Sequence, residues 1–70
     1  MSERLRKRSL NLAGHATSLA LEPEFWALLD AAAARESVSL AVLVGRIDDG
    51  REGRGLASAC RVWALAQSRA

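Results

Sequence analysis

The residues of this chain best suited to chemistry are basic and gathered at one end. Within the first eight positions Arg4, Arg6, Lys7 and Arg8 are opposed only by Glu3, a local charge of +3, whereas residues 9–70 carry six Arg against seven acids, a charge of −1. Each Lys or Arg set against a phosphate releases condensed counterions, so a basic segment on a nearly neutral body suits a nucleic acid or another anionic surface. A solvated basic tail has the same composition, and charge alone does not separate the two.

Catalysis has little to work with. His15 is the single imidazole, Cys60 is expected on the buried side of a helix, and no Ser stands in a nucleophile-elbow context, so no catalytic residue is expected and the chain reads as a non-enzyme. Asp48, Asp49 and Glu52 lack the alternation of a calcium loop and have Arg51 among them. Gly50, Gly53 and Gly55 follow no strand and precede no Lys-Ser or Lys-Thr pair, which argues against a phosphate-cradling loop. With one Cys and one His, neither an intrachain disulfide nor an all-protein zinc site is expected, and no cofactor or metal is implied.

The elements that must carry the basic residues follow from periodicity. Ser9–Leu12 alternates polar and apolar, and Thr17–Leu21 alternates again with Leu19 and Leu21 on one side. Both segments read as short strands. Gly14, between them, supplies the positive φ of a tight reversal, so a hairpin and one longer bent ribbon both fit. Pro23 suits the first position of a helix and Glu24 its first turn, and Phe25, Leu28, Leu29, Ala32 and Ala33 recur along one face with Trp26 beside it. Ser39 is a good N-cap for a second helix to about Asp48, with Leu40, Leu43, Val44 and Ile47 apolar. Gly45 inside that helix costs about 1 kcal/mol relative to Ala unless another backbone comes close. A Gly-rich loop over 49–55 then leads to a third helix, about 56–68, whose large residue is Trp63. The expected organisation is a basic N-terminal arm, 1–8, ahead of one domain, 9–70.

Seventy residues bury only about 60% of their unfolded surface. Of the 35 apolar residues 14 are Ala, which leaves 21 larger side chains for a core. Without disulfide or metal, the remaining remedy is a second copy, and a homodimer is expected. Its interface is placed at Leu19, Leu21, Phe25, Trp26, Leu43, Gly45 and Ile47. No uninterrupted apolar run approaches the roughly 20 residues of a membrane span, and the expected setting is cytoplasmic, with no membrane partner.

A basic segment, an alternating strand, a helix, a Ser-capped turn and a second helix resemble the ribbon-helix-helix family, the fold of the Arc, MetJ and CopG repressors. The pattern is most similar to that of small stand-alone bacterial ribbon-helix-helix domain proteins. It is carried by Lys7-Arg8-Ser9, Gly14-His15, Thr17-Ser18-Leu19, Leu21-Glu22, Phe25-Trp26, Ser39-Leu40 and Arg61-Val62, and covers roughly residues 7–65.

The resemblance implies an α+β, mostly helical fold: a dimer with an intertwined antiparallel β-ribbon, here with an extra C-terminal helix. It also implies a transcriptional regulator that lays the ribbon in the major groove of double-stranded DNA. With Leu19 and Leu21 inward, the outward positions are Ala16, Ser18 and Ala20; this departs from the longer polar side chains usual there. If the first strand pairs as a hairpin, Lys7, Ser9 and Asn11 join that face. Arg6, Lys7 and Arg8 are expected on phosphates, as are the backbone amides at Ser39 and Leu40, where a helix N-terminus attracts an anion. The alternative is a protein-interaction module, an adaptor or antitoxin, that keeps the dimer and takes a protein partner through the third helix or the Arg-rich arm.

Overall fold

The computed structural model describes residues 4–69, and the expectation for residues 1–3 of the arm lies outside them. Two strands, β1 (Arg6–Leu12) and β2 (His15–Leu21), precede three helices, α1 (Pro23–Glu36), α2 (Leu40–Asp49) and α3 (Leu56–Ser68). The α+β, mostly helical class and the third helix are as expected from the sequence. Among the described residues the strands form one two-stranded antiparallel sheet, paired within the chain from Arg6 with Leu21 to Leu12 with His15.

The hairpin closes through Ala13 and Gly14, whose φ values of 53° and 83° are both left-handed. Two positive φ values in a two-residue loop give the turn whose twist matches that of its strands. The reversal is therefore shorter than the sequence pattern indicated, and both strands gain residues. His15 and Ala16 enter β2, and Arg6, Lys7 and Arg8 form the first half of β1 instead of a separate arm.

Helix α1 starts at Pro23, with Glu22 at its N-cap; the Glu22 carbonyl accepts from the amides of Phe25 (3.0 Å) and Trp26 (3.2 Å). It ends at Ser37, whose φ of 58° is left-handed. The amides of Ser37 and Val38 close back on the carbonyls of Ala34 and Ala33 at 3.1 and 3.0 Å, a Schellman closure made without glycine. Ser39 caps α2 as its side chain suggests: its Oγ accepts from the Val42 amide at 3.1 Å. Between α2 and α3, Arg51 binds Asp48 through its Nε and donates to the Arg54 carbonyl, both at 2.6 Å, so a side chain organises the Gly-rich loop.

The helices cover one face of the hairpin. Leu12, Leu19 and Leu21 meet Trp26, Leu29, Ala32 and Ala33 of α1, Leu43, Val44 and Ile47 of α2, and Ala59, Cys60 and Ala64 of α3 in one buried cluster. Trp26, expected beside the α1 stripe, lies inside it at 4% exposure, while Phe25 and Leu28 are half-buried. The buried stripe is rotated toward 26, 29 and 33, with the Trp26 ring covered by the Arg8 guanidinium and its N–H bonded to the Arg6 carbonyl. Trp63 is half-buried against the cluster.

Five of the seven residues assigned to a dimer interface, Leu19, Leu21, Trp26, Leu43 and Ile47, are thus buried within their own chain. Only Phe25 and Gly45 of that set retain exposed surface. Nor does another backbone approach Gly45: a Cβ there would meet nothing within 4 Å. No close helix crossing inside the chain accounts for this glycine.

Candidate nucleic-acid interface

Side chains directly opposite each other in an antiparallel pair lie on the same face, and successive residues alternate between faces. The register sets Lys7 opposite Ala20, Ser9 opposite Ser18 and Asn11 opposite Ala16. These six side chains form the face of the ribbon turned away from the helices. Arg6, Arg8, Leu10 and Leu12 share the other face with Leu19 and Leu21.

The outer face is open and polar. Lys7, Ser9, Asn11, Ala16 and Ser18 are exposed and Ala20 is half-buried. Lys7 offers a cation, Asn11 a paired donor and acceptor of the kind that matches the adenine edge, and the two serines offer hydroxyls, with small Ala residues leaving room for close approach. Expected from β2 alone, the reading surface held one hydrogen-bonding side chain. The hairpin adds three, because β1 pairs in register beside it.

The basic cluster is divided by the same alternation. Arg8 turns toward α1, where its guanidinium lies 4.5 Å from the centroid of the Trp26 ring and its Nη1 stands 3.2 Å from Asp30 Oδ2. Arg6 is held through its backbone, its carbonyl accepting from Trp26 Nε1 at 2.8 Å. Among the described residues the ion pairs are Arg8–Asp30, Arg46–Glu36, Arg51–Asp48 and Arg61–Glu22. Lys7 and Arg6 take part in none of these pairs and leave unpaired positive charge at the open end of the ribbon, as Arg35, Arg54 and Arg69 do elsewhere on the chain.

At the start of α2, Ser39 and Leu40 stand where sequence reasoning placed them. The first amides of a helix lack intrahelical acceptors, and α2, unlike α1, has no acidic residue in its first turn. Arg61 Nε donates to Glu22 Oε1 at 2.9 Å and its guanidinium lies 5.9 Å from the Phe25 ring. That contact fixes α3 to the beginning of α1. Arg61 also holds the Glu22 carboxyl below its ordinary range, chiefly through the hydrogen bond.

Cys60 is buried, and loss of hydration, reinforced by Asp48, pushes its thiol up to about 11. It is a packing residue. No group of three or more His, Cys, Asp or Glu among the described residues is placed to hold a metal ion.

A family model, the ribbon-helix-helix domain, matches residues 5–68. The chain belongs to the ribbon-helix-helix family. No curated protein and no solved structure matches it. Ribbon-helix-helix proteins are generally DNA-binding transcription regulators or antitoxins, and they typically dimerise. In this ribbon-helix-helix chain both strands of the sheet come from one molecule. No helix of the described residues is long and apolar enough to cross a membrane.

Proposed function

We propose that the chain is a homodimeric DNA-binding regulator, acting in the cytoplasm, whose ribbon enters the major groove with Lys7, Ser9, Asn11, Ala16, Ser18 and Ala20 toward the bases. The observation that carries this is the register: it gathers those side chains on the one face that the helices leave uncovered. Arg6 and the chain around Arg4 supply phosphate contacts, and the α2 amides at Ser39 and Leu40 supply another. Arg8, committed to Trp26 and Asp30, contributes less than its charge suggests.

The second copy adds along β2. Counted from the two-residue turn, Leu12–His15, Leu10–Thr17 and Arg8–Leu19 are hydrogen-bonded pairs, so the backbone groups of Ala16, Ser18 and Ala20 point to the open edge of β2. That edge has no charged residue from Ala16 to Leu21, whereas the β1 edge carries Arg6, Lys7 and Arg8 and repels its own copy. Antiparallel pairing of two β2 strands doubles the outer face and places two sets of Lys7, Ser9 and Asn11 about a two-fold axis.

Fluorescence anisotropy with random and genomic duplexes tests this. Affinity should fall steeply with added salt and collapse when Arg6 and Lys7 are neutralised together. Binding indifferent to both contradicts it. One observation favours the second reading, a protein-interaction module: Val62 and Leu65 of α3 are 45% and 49% exposed. A stoichiometric protein partner lost on Val62→Asp or Leu65→Asp, with no duplex binding, would decide for it.

A further inference from the structure

The cationic end of the ribbon has a mechanical difficulty. Four cations lie within residues 4–8, and those of β1 stand at the end of a strand with a neighbour on one side only. Repulsion and end fraying both favour detachment, and a detached segment no longer aims Lys7 at the outer face. We propose that Trp26 is a positioning residue that holds this segment in the sheet and thereby orients Lys7.

Three contacts meet there. The Trp26 indole N–H donates to the Arg6 carbonyl at 2.8 Å, its ring lies under the Arg8 guanidinium at 4.5 Å, and Asp30, one helical turn further on, holds Arg8 at 3.2 Å. Residues four apart on a helix share a face, so α1 presents an aromatic platform and a carboxylate side by side. Trp26 thus grips the residues on both sides of Lys7, and strand alternation turns Lys7 the opposite way. A purely apolar core role needs the ring but not its N–H. The ion pair alone is too exposed at both ends to hold a strand, because exposed pairs contribute little.

The orientation effect rests on the DNA reading only for its second readout; the first needs no ligand. Amide hydrogen exchange is followed in Trp26→Phe, with Leu29 and Val44 as internal references for the helical core. Exchange at Arg6 and Arg8 and at their hydrogen-bonded partners Leu21 and Leu19 should quicken about fivefold relative to those references, the hairpin tip being unaffected. Asp30→Asn, which leaves the indole in place, should produce a smaller change confined to Arg8. The slope of log affinity against log salt for duplex DNA should fall by about one per chain in Trp26→Phe, a change that simple loss of stability does not cause while the protein stays folded.

Exchange in Trp26→Phe that rises uniformly with the core, or stays unchanged at Arg6 and Arg8, overturns the positioning role. So does an Asp30→Asn variant that reproduces the whole effect. A wild-type chain that fails to bind any duplex refutes the DNA reading and leaves the exchange result to decide on Trp26.

Discussion

Ser9 of β1 lies directly across from Ser18 of β2, on the face of the hairpin opposite the helices. This pairing places Lys7 and Asn11, two residues to either side on β1, on the same surface. A ribbon that offers one hydroxyl from β2 alone becomes a surface with a cation, a carboxamide and two hydroxyls.

The mode of dimerisation is testable at Ser18. Its amide points to the open edge of β2, where proline removes a donor that the hairpin does not use. Ser18→Pro should keep the intrachain hairpin and the helical content but halve the mass seen by light scattering, from twice the chain mass to once. A dimer that survives this change does not pair through β2.

Three described non-Gly residues, Ala13, Ser37 and Glu52, hold left-handed conformations that favour other residues, and the first two stand at a hairpin turn and a helix end. Ala13, with φ 53°, stands at the first central turn position, where Asn is preferred, and Ala13→Asn should stabilise the fold by about 0.5–1 kcal/mol. Ser37→Gly, at φ 58°, should gain a similar amount, about 0.5–1 kcal/mol. Gly14→Ala should lose about 1–2 kcal/mol: its φ is 83°, and no neighbouring atom contributes to the cost. Denaturant midpoints measured on the three variants check the signs together.

The Cys60 thiol should resist modification. Buried and with its pKa at about 11, it presents almost no thiolate at pH 8. Labelling by a thiol reagent should proceed only at the rate of unfolding opening, and denaturant should release it at once. Fast labelling of the folded chain would contradict the packing of α3 on α2.

Acid stability has a defined contributor in Glu22. Arg61 lowers its carboxyl from the ordinary value near 4.5, so the folded state holds the proton less tightly than the unfolded chain. The contribution is fully present above that ordinary value and is lost as pH falls through the lowered one. Glu22→Gln should make stability less dependent on pH in that acid range, without changing it between pH 6 and 8 in its slope. An unchanged acid slope would place the coupling elsewhere.

Much of the fold was legible because its signals are local. Pro23 begins α1, Ser39 caps α2, and the alternation of Leu19 and Leu21 marks the inner face of β2. The first half of β1 was not legible, since Arg6-Lys7-Arg8 has the composition of a solvated tail. Its alternation is real but hidden: Arg8 occupies an inner position because its stem and guanidinium cover an aromatic ring. For the same reason Trp26 looked peripheral, its burial depending on a strand that the sequence pattern did not extend far enough. The outer face followed from parity once the turn was fixed at two residues. Gly45 has no explanation in the chain's own fold, because a Cβ there would meet nothing within 4 Å.

The most direct test of the ribbon's role is a residue-resolved map of amide chemical shifts as duplex DNA is added to the full chain. Changes should concentrate at Lys7, Ser9, Asn11, Ala16, Ser18 and Ala20, with a second cluster at Ser39 and Leu40, and leave Val62 and Leu65 undisturbed. A map centred on α3, or one blank along the outer face of the hairpin while binding is evident, would contradict that role.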